Sequence, residues 1–173
     1  QVKNIVKRGE QIKIILISGP SSSGKTTTCN KLAMYLRSMG KTPKMISMDD
    51  FFKERVDTPK KPNGEYDFEC LEAVDLKLFN KTMTALLNGE KVKMPTFDFL
   101  SGEKKFKHEM ILEKTDILLI EGIHALNDTL TMSIDRRNKY KIYICPLVQI
   151  NIDNHSHIHT SDLRKLRRII RDS

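Results

Sequence analysis

A run of eight residues near the start of the chain constrains its fold more than any other feature. It matches the pattern G-x-x-x-x-G-K-[ST] and reads Gly19-Pro20-Ser21-Ser22-Ser23-Gly24-Lys25-Thr26. An apolar run at 12–17 comes before it, and a helical pattern follows it. A strand, a glycine-rich turn and a helix in this order wrap backbone N–H groups around an anion at the positive end of the helix. An ordinary Gly/Ser turn would not need these flanking elements, so the motif predicts a phosphate-binding loop.

The residue types in the loop suggest a role for most positions. Gly19 and Gly24 permit backbone conformations and close approaches that a Cβ would hinder. Lys25 is expected to reach the β- and γ-phosphates of a nucleotide, and the Thr26 hydroxyl to bind Mg²⁺. The predicted nucleotide-binding residues are Gly19, Ser21, Ser22, Ser23, Gly24, Lys25, Thr26 and Thr27.

Apolar runs alternate with amphipathic stretches along the rest of the chain, which predicts a doubly wound α/β sheet. Strands are predicted at 12–18, 44–47, 116–122 and 140–145, and extended chain around a Ser101-Gly102 turn at 95–111. Residues 53–66 are predicted to form a loop, because they are polar and contain Pro59, Pro62 and Gly64.

Three helices are predicted from the apolar periodicity. The first presents Cys29, Leu32, Ala33 and Leu36 on one face and ends near Gly40. The second covers 71–88, and the third begins at Thr160 or Ser161. The apolar side chains of the third helix are expected to point inward, and they are Leu163, Leu166, Ile169 and Ile170.

Acidic residues follow two of the predicted strands. Glu121 lies at the end of the predicted strand at 116–122, where an acid can hold Mg²⁺ directly or through water. Asp49 and Asp50 follow the second strand, and one of them is expected to accept the proton of a substrate hydroxyl while the other caps a turn or faces water. Because ligands bind at the carboxyl ends of strands in such sheets, these acids and the phosphate loop are predicted to converge.

Other residues leave alternatives open. Arg164, Arg167, Arg168 and Arg171 lie three and four positions apart, so at least one is expected at the phosphates and the others on a solvated helix face. Phe97 and Phe99 either flank an aromatic base or pack in the core. His155, His157 and His159 alternate, but the pattern favours a solvated or substrate-side loop over a zinc site.

The composition narrows the class of protein. The formal net charge is +8, yet much of the excess falls within residues 164–171, which suits a local phosphate site better than a general nucleic-acid surface. Three cysteines show no close pairing, which favours a reducing compartment such as the cytoplasm. No apolar run approaches the roughly 20 residues of a membrane span.

With these residues in place, the chain resembles the uridine kinase and phosphoribulokinase group of P-loop kinases. The matching segments after the loop are Met48-Asp49-Asp50-Phe51-Phe52, Tyr66-Asp67-Phe68-Glu69, Pro95-Thr96-Phe97-Asp98-Phe99, Ile120-Glu121-Gly122-Ile123 and Leu166-Arg167-Arg168-Ile169-Ile170-Arg171-Asp172. The resemblance implies a three-layer P-loop NTPase fold with a central parallel sheet and a small β-hairpin on the substrate side. It also implies ATP and Mg²⁺ as cofactors.

The resemblance assigns roles to particular residues. Asp49, rather than Asp50, becomes the general base, and Lys25 the second catalytic residue. Glu121 joins Thr26 at the metal. Arg168 and Arg171 are placed at the substrate and the transferring phosphate, and Glu69, Phe97 and Phe99 at the acceptor.

The chain also departs from the uridine kinase pattern on the acceptor side. Glu69 stands where that pattern has a ribose-binding Asp, Phe97 where it has a Tyr at the base, and Gly102 where it has a base-reading His. A site without those hydrogen-bonding groups discriminates less strongly between acceptors. The departures are similar to those of uridine kinase-like proteins with an extra N-terminal domain.

Two functions are carried forward. The first is ATP-dependent phosphorylation of the primary hydroxyl of a nucleoside, uridine- or cytidine-like, or of a related small molecule. The second is a nucleotide-binding module with a regulatory or RNA-associated role. Residues 1–173 are expected to form one kinase domain without the C-terminal lid, as a fragment of a longer protein. We expect this protein in the cytoplasm, and a homo-oligomer is compatible with the sequence.

Overall fold

The computed structural model describes Ile5 and residues 12–132, 134–146 and 158–172, the last range with side chains as far as Ile170. The strands are β1 (Ile14–Ser18), β2 (Thr42–Ser47), β3 (Val92–Asp98), β4 (Glu103–Met110), β5 (Asp116–Glu121) and β6 (Lys139–Tyr143). The α-helices of the described residues are α1 (Lys25–Ser38), α2 (Leu76–Leu87) and α3 (Thr160–Asp172).

Four strands form a parallel sheet in the order β2-β5-β1-β6. β1 and β5 are buried along nearly their whole length, as expected for strands covered on both faces. On one face Ile14, Leu16, Leu118 and Ile120 pack with α2 and the β3–β4 hairpin, while on the other Ile15, Ile17, Ile117 and Leu119 pack with α1. These two cores confirm the predicted three-layer α/β fold with a central parallel sheet.

Helix α1 packs on the sheet through the face that the sequence predicts. Cys29, Leu32, Ala33 and Leu36 are all buried. Burial, followed by the Glu121 carboxylate, raises the pKa of the Cys29 thiol to about 12, so this thiol is a core group. After the helix, Gly40 adopts φ +75°, a left-handed conformation that suits glycine.

The second helix begins later than its apolar pattern predicts, so the predicted start at Leu71 is wrong. Residues Leu71–Ala73 form a separate 3₁₀ turn, and Val74 is extended and forms a bridge with Phe52. Asp75 then caps α2, because its side chain accepts a hydrogen bond from Leu78 N at 3.0 Å. The bridge and the cap together explain why the helix cannot extend to Leu71.

The third helix overturns one prediction about packing. Leu166, Ile169 and Ile170 are 53%, 65% and 75% exposed instead of pointing inward, and only Leu163 of the four is half-buried. Arg164 of this helix donates a hydrogen bond to the phosphate loop, at the Ser21 carbonyl. This polar contact helps to orient α3 beside the loop.

The β3–β4 hairpin lies beside the sheet as an antiparallel pair. Its inner residues Met94 and Phe97 are buried in the core that contains α2, while β4 is exposed along most of its length. Gly102 in the turn adopts φ +73°. Within the described residues, no helix is long and apolar enough to cross a membrane.

Candidate active site

The phosphate loop joins β1 to α1 and is shaped by close backbone approaches. A Cβ on Gly19 would overlap the carbonyl oxygen of Ile144 and lie 2.8 Å from Ser23 Oγ. Gly24 has φ +93° at the start of α1, and Ser22 also has a positive φ of 56°. These positions curve the loop around the N-terminus of α1, where N–H groups and the helix dipole favour an anion.

Two serine hydroxyls in the loop test whether a phosphate chain fits there. Ser22 Oγ and Ser23 Oγ are buried, and neither has a hydrogen-bond partner among the described residues. An unpartnered buried hydroxyl costs free energy unless a ligand satisfies it. These two groups therefore fit a bound polyphosphate.

Lys25 and Thr26 supply the charged and metal-binding groups of the loop. Lys25 Nζ donates to the Pro20 carbonyl at 3.1 Å, which folds the ammonium over the loop. Thr26 Oγ1 donates to Glu121 Oε1 at 3.0 Å, so the predicted metal residues are in direct contact. One hydroxyl and one carboxylate suit Mg²⁺, which usually completes its octahedron with water and substrate phosphates.

The sheet register carries Glu121 to this position. Glu121 is the last residue of β5, and it pairs with Ile17 of β1 and Ser47 of β2. It is therefore next to the strand that leads into the phosphate loop and to the strand that leads into Asp49. Its convergence with the loop follows from three parallel strands ending at one edge.

Asp49 lies in the 3₁₀ turn Met48–Phe51 directly after β2. Ser47 Oγ accepts a hydrogen bond from Asp49 N at 3.3 Å and caps the turn. Although the side chain of Asp49 opens into the cavity, surrounding protein raises the pKa of its carboxyl, the Glu121 carboxylate raises it further, and Lys25 lowers it. A carboxylate with a raised pKa is better suited to accept a proton.

The adjacent carboxylate, Asp50, is turned in another direction. Its Oδ1 accepts a hydrogen bond from Phe97 N at 3.3 Å, so it contacts the hairpin. Burial raises the pKa of Asp50, while the bond from Phe97 and the nearby His108 lower it. The two neighbouring acids therefore have different surroundings.

One cavity of about 390 Å³ brings most of the predicted donor-side residues together. Its walls include loop residues 21–27, Asp49, Glu121 and Arg167. Gly19 lies at the base of the same loop. A phosphate-binding loop, two carboxylates and a cation in one cavity can hold a nucleotide and a metal beside a group that accepts a proton.

The arginines of α3 are divided between this cavity and solvent. Arg164 Nε donates to the Ser21 carbonyl at 2.8 Å, and a Cβ on Gly24 would lie 3.4 Å from Arg167 Nη2. Arg168 is exposed and is not among the residues that line the cavity. The side chain of Arg171 is outside the described part, so roles for Arg168 and Arg171 at the phosphate stay predictions.

The predicted acceptor residues are spread over the hairpin and the loop before α2. Phe97 is 6% exposed and belongs to the core, while Phe99 is 52% exposed, so the two phenylalanines differ in role. The Glu69 side chain is exposed, and its backbone N–H donates to Asp67 Oδ1 at 3.0 Å. Their contact with an acceptor stays a prediction.

Arg55 fills the space beside Gly102. A Cβ on Gly102 would lie 2.7 Å from Arg55 Nε, and Arg55 Nη2 donates to the Phe99 carbonyl at 2.7 Å. Any side chain at position 102 would displace this arginine.

Sequence reasoning missed two residues of the site. Gly122 is essential to its shape, because a Cβ there would lie 2.7 Å from Met48 Cβ. His124 Nε2 is 2.8 Å from the Glu69 carbonyl oxygen and thus reaches the loop before α2. The Gly after the terminal acid of β5 was a signal for the first, but nothing local indicates the partner of the second. Of the four arginines expected from the sequence near the phosphates, Arg167 lines the cavity.

Only one residue of the histidine run falls within the described part of the chain. His155 and His157 lie outside the described residues, and His159 is exposed just before α3. Within the described part of the chain, no group of three or more His, Cys, Asp or Glu side chains is arranged to hold a metal ion.

Comparison with known proteins agrees with this geometry. The chain is 27% identical over 157 residues to a uridine kinase of Halobacterium salinarum, covering 90% of this chain but 60% of that protein. It is 30% identical over 164 residues to a uridine kinase of Staphylococcus epidermidis, covering 94% and 70%. A solved structure described as a possible uridine kinase from Bacillus stearothermophilus has a TM-score of 0.65 at 23% identity, over 82% of this chain and 76% of that one.

The last of these likenesses concerns the fold alone, because its sequence identity is low. The sequence profile of a family, by contrast, covers residues 14–173, which includes the phosphate loop, Asp49, Glu121 and the arginines of α3. On this evidence the chain belongs to the phosphoribulokinase/uridine kinase family.

Proposed function

We propose that the protein transfers the γ-phosphoryl group of ATP, with Mg²⁺, to the primary hydroxyl of a nucleoside or a related small molecule. The observation that carries this proposal is the position of Asp49. It opens into the same cavity as the phosphate loop, Lys25 and Glu121. A nucleotide-binding module needs no such carboxylate, whereas phosphoryl transfer needs a group that orients or deprotonates the acceptor hydroxyl.

Each residue of the cavity has a distinct task in this proposal. The loop backbone and the hydroxyls of Ser22 and Ser23 bind the phosphates. Lys25 leaves the Pro20 carbonyl and neutralises charge on the β- and γ-phosphates. Thr26 and Glu121 hold Mg²⁺, which supplies charge neutralisation at the phosphate oxygens when bound.

Asp49 holds the acceptor hydroxyl in line and accepts its proton as the O–P bond forms. Its raised pKa has the useful direction for this, because a very weak base would not take a proton from an alcohol. Arg167 is directed at the cavity, where a guanidinium stabilises the charge on the transferring group. ADP leaves as the other product.

The acceptor is proposed from the relatives. Both curated relatives quoted above are named uridine kinases, which supports a pyrimidine nucleoside or a similar molecule. Because the chain spans 60% of the Halobacterium protein, activity of the whole protein is part of this proposal. We further propose that residues 1–173 are one kinase domain, and that its free thiols Cys29, Cys70 and Cys145 suit the cytoplasm.

A second function is favoured by one specific observation. Arg55 occupies the space beside Gly102, and Phe97 is packed in the core, so neither of these two hairpin positions offers a polar side chain for reading a base. A chain with this acceptor side could bind ATP for a regulatory or RNA-associated role without transferring phosphate. ATP binding without transfer, combined with salt-sensitive RNA binding, would favour this second function.

The deciding experiment measures ADP release with ATP, Mg²⁺ and each of a panel of nucleosides and small polyols. Acceptor-dependent ADP release by the native chain, absent from the Asp49→Asn variant, supports the kinase. The variant must still bind a non-hydrolysable ATP analogue with native affinity, because Asp49 is not part of the phosphate loop. Native protein that binds the analogue and releases no ADP with any acceptor would refute the proposal.

A further inference from the structure

We propose that Asp50 and His124 are positioning residues, which hold a cluster of phenylalanines beside the segment that carries the candidate base Asp49 and so orient the acceptor. This inference rests on the proposed kinase function. The two residues act through backbone hydrogen bonds on opposite sides of the cluster. The sequence offered Asp50 only as the alternative to Asp49 for accepting a proton, and it gave no role to His124.

The phenylalanine cluster consists of Phe52, Phe68, Phe97 and Phe99. Each ring lies 5.0 to 6.0 Å from the other three, with edge-to-face angles from 61° to 80°. The rings come from three segments, which are the end of the 3₁₀ turn after β2, the loop before α2 and the hairpin. Because edge-to-face pairs are directional, each ring restricts the positions that the other three can take.

The hydrogen bond from the hairpin joins this cluster to the segment that carries Asp49. Phe97 N–H donates to Asp50 Oδ1 at 3.3 Å, and Asp50 directly follows Asp49. The carboxyl is partly enclosed, so the bond is better protected from water than one on the surface. The bond therefore links Phe97 to the turn that carries Asp49.

The second hydrogen bond joins the cluster to the turn after β5. His124 Nε2 lies 2.8 Å from the carbonyl oxygen of Glu69, the residue after Phe68. A carbonyl oxygen can only accept, so Nε2 carries the hydrogen. The turn is rigid, because Gly122 N donates to the Ile17 carbonyl at 3.1 Å and Ser18 Oγ to the Ile123 carbonyl at 2.7 Å.

The two bonds connect the cluster to both acids of the cavity. Asp50 is adjacent to the candidate base Asp49, and His124 is three residues from the candidate metal ligand Glu121. Phe99, which is 52% exposed, gives the cluster an accessible ring on which the flat or apolar part of an acceptor can pack. An acceptor resting there is held at a fixed position relative to the proton-accepting oxygen, as near-attack geometry requires.

The test separates a hydrogen bond from simple packing with matched variants at each position. In His124→Gln the side-chain amide nitrogen takes the place of Nε2, whereas His124→Leu fills the space without a donor and His124→Asn is too short to reach. Asp50→Asn keeps Oδ1 as an acceptor, whereas Asp50→Ala removes it. ADP release is measured with uridine as the probe acceptor, and binding of a non-hydrolysable ATP analogue is measured separately.

We expect His124→Leu, His124→Asn and Asp50→Ala each to raise the KM for uridine about 10-fold, the value of one protected hydrogen bond. His124→Gln and Asp50→Asn keep the bond, so their KM for uridine should stay within about threefold of the native value. Affinity for the ATP analogue should be unchanged in all five variants, because both bonds lie on the acceptor side. Circular dichroism establishes that each variant is folded.

Two outcomes would overturn the positioning roles while the kinase proposal stands. One is that the native protein transfers phosphate to uridine, but the bond-keeping and the bond-removing variants have the same KM for uridine. The other is a parallel loss of ATP-analogue affinity, which would mean general destabilisation. Native protein that transfers phosphate to no acceptor overturns the proposed function itself, and the positioning roles with it.

Discussion

Replacement of Gly122 by alanine should separate the two acids of the cavity. A Cβ at this position would lie 2.7 Å from Cβ and 2.9 Å from both Cγ and Sδ of Met48. Carbon atoms in contact normally stay about 3.5 to 4.0 Å apart. The two segments must therefore move apart by about 1 Å.

The structure indicates which segment moves. The turn at Gly122 is bonded to β1 through Ile17, and the neighbouring Ile123 carbonyl accepts the Ser18 hydroxyl. Met48, in contrast, is the first residue of a short 3₁₀ turn, and Asp49 is the next. The displacement is therefore passed to Asp49.

The expected magnitudes follow from this displacement. Overpacking of a buried position costs about 1 to 3 kcal/mol of unfolding free energy. A catalytic group misplaced by about 1 Å lowers the rate about 100-fold. The loss of turnover should thus exceed what the loss of stability alone explains at a temperature where the variant is folded.

The assay compares two alanine variants of glycines. Urea unfolding gives the free energy of unfolding, and ADP release with the best acceptor of the panel gives kcat. Gly89→Ala is the control, because nothing lies within 4 Å of a Cβ at this position. Its φ of +77° means that the substitution still lowers the free energy of unfolding by about 1 kcal/mol, without a clash that could displace Asp49. If Gly122→Ala and Gly89→Ala lose stability and kcat in the same proportion, the close approach to Met48 does not position Asp49.

Three further variants test the donor side. Asp49→Asn should raise the free energy of unfolding at pH 7.5, because the native carboxyl, with its raised pKa, loses stability as the pH rises from the ordinary pKa of the unfolded chain to the raised pKa of the folded one. Urea unfolding should show the gain shrinking as the pH falls and vanishing below the ordinary pKa, where both states are protonated, and a gain that persists there would contradict the electrostatic cause. Arg167→Ala should lower kcat about 100-fold, because Arg167 lines the cavity, and Arg168→Ala should lower it much less. Steady-state kinetics that show the larger loss for Arg168→Ala would instead favour Arg168 at the transferring phosphate, as the resemblance implies. Gly19→Ala should weaken binding of a non-hydrolysable ATP analogue at least about 10-fold in calorimetry, because its Cβ would overlap the Ile144 carbonyl, and native affinity would mean that the loop tolerates the displacement.

The parts of the fold that are determined by nearby residues could be predicted from the sequence. The apolar run of β5, the helical face of α1 and the glycines of the phosphate loop each carry their own signal within a few residues. Because parallel strands end at the same edge of a sheet, Glu121 could also be predicted to lie near the loop. The contact from Thr26 Oγ1 to Glu121 Oε1 at 3.0 Å agrees with that prediction.

The errors arose where a distant partner outweighs the local pattern. The apolar spacing from Leu71 onward suits a helix, but Val74 is held in extended form by its bridge to Phe52. Likewise, the apolar face of α3 has the period of a buried helix, yet Arg164 directs its arginine side to the phosphate loop. Neither Phe52 nor the Ser21 carbonyl can be identified as a partner from residues nearby in the sequence.

The same reason explains why the hydrogen-bond partners of His124 and Asp50 could not be predicted. The bond between His124 and Glu69 joins residues 55 positions apart, and the bond between Asp50 and Phe97 joins residues 47 positions apart. A histidine in a turn and a second aspartate beside the first have many ordinary uses. Only the folded chain identifies their partners.

The strand register has a consequence for how such a protein can change. A one-residue insertion in β5 would turn Glu121 to the opposite face of the sheet, because successive side chains alternate. The loop at 53–75 and the hairpin lie outside that register, so their exposed side chains can vary without changing the pairing of Glu121 with Ile17. A chain built this way can change which small molecule it accepts through those side chains, while the phosphate loop, Thr26 and Glu121 keep their places.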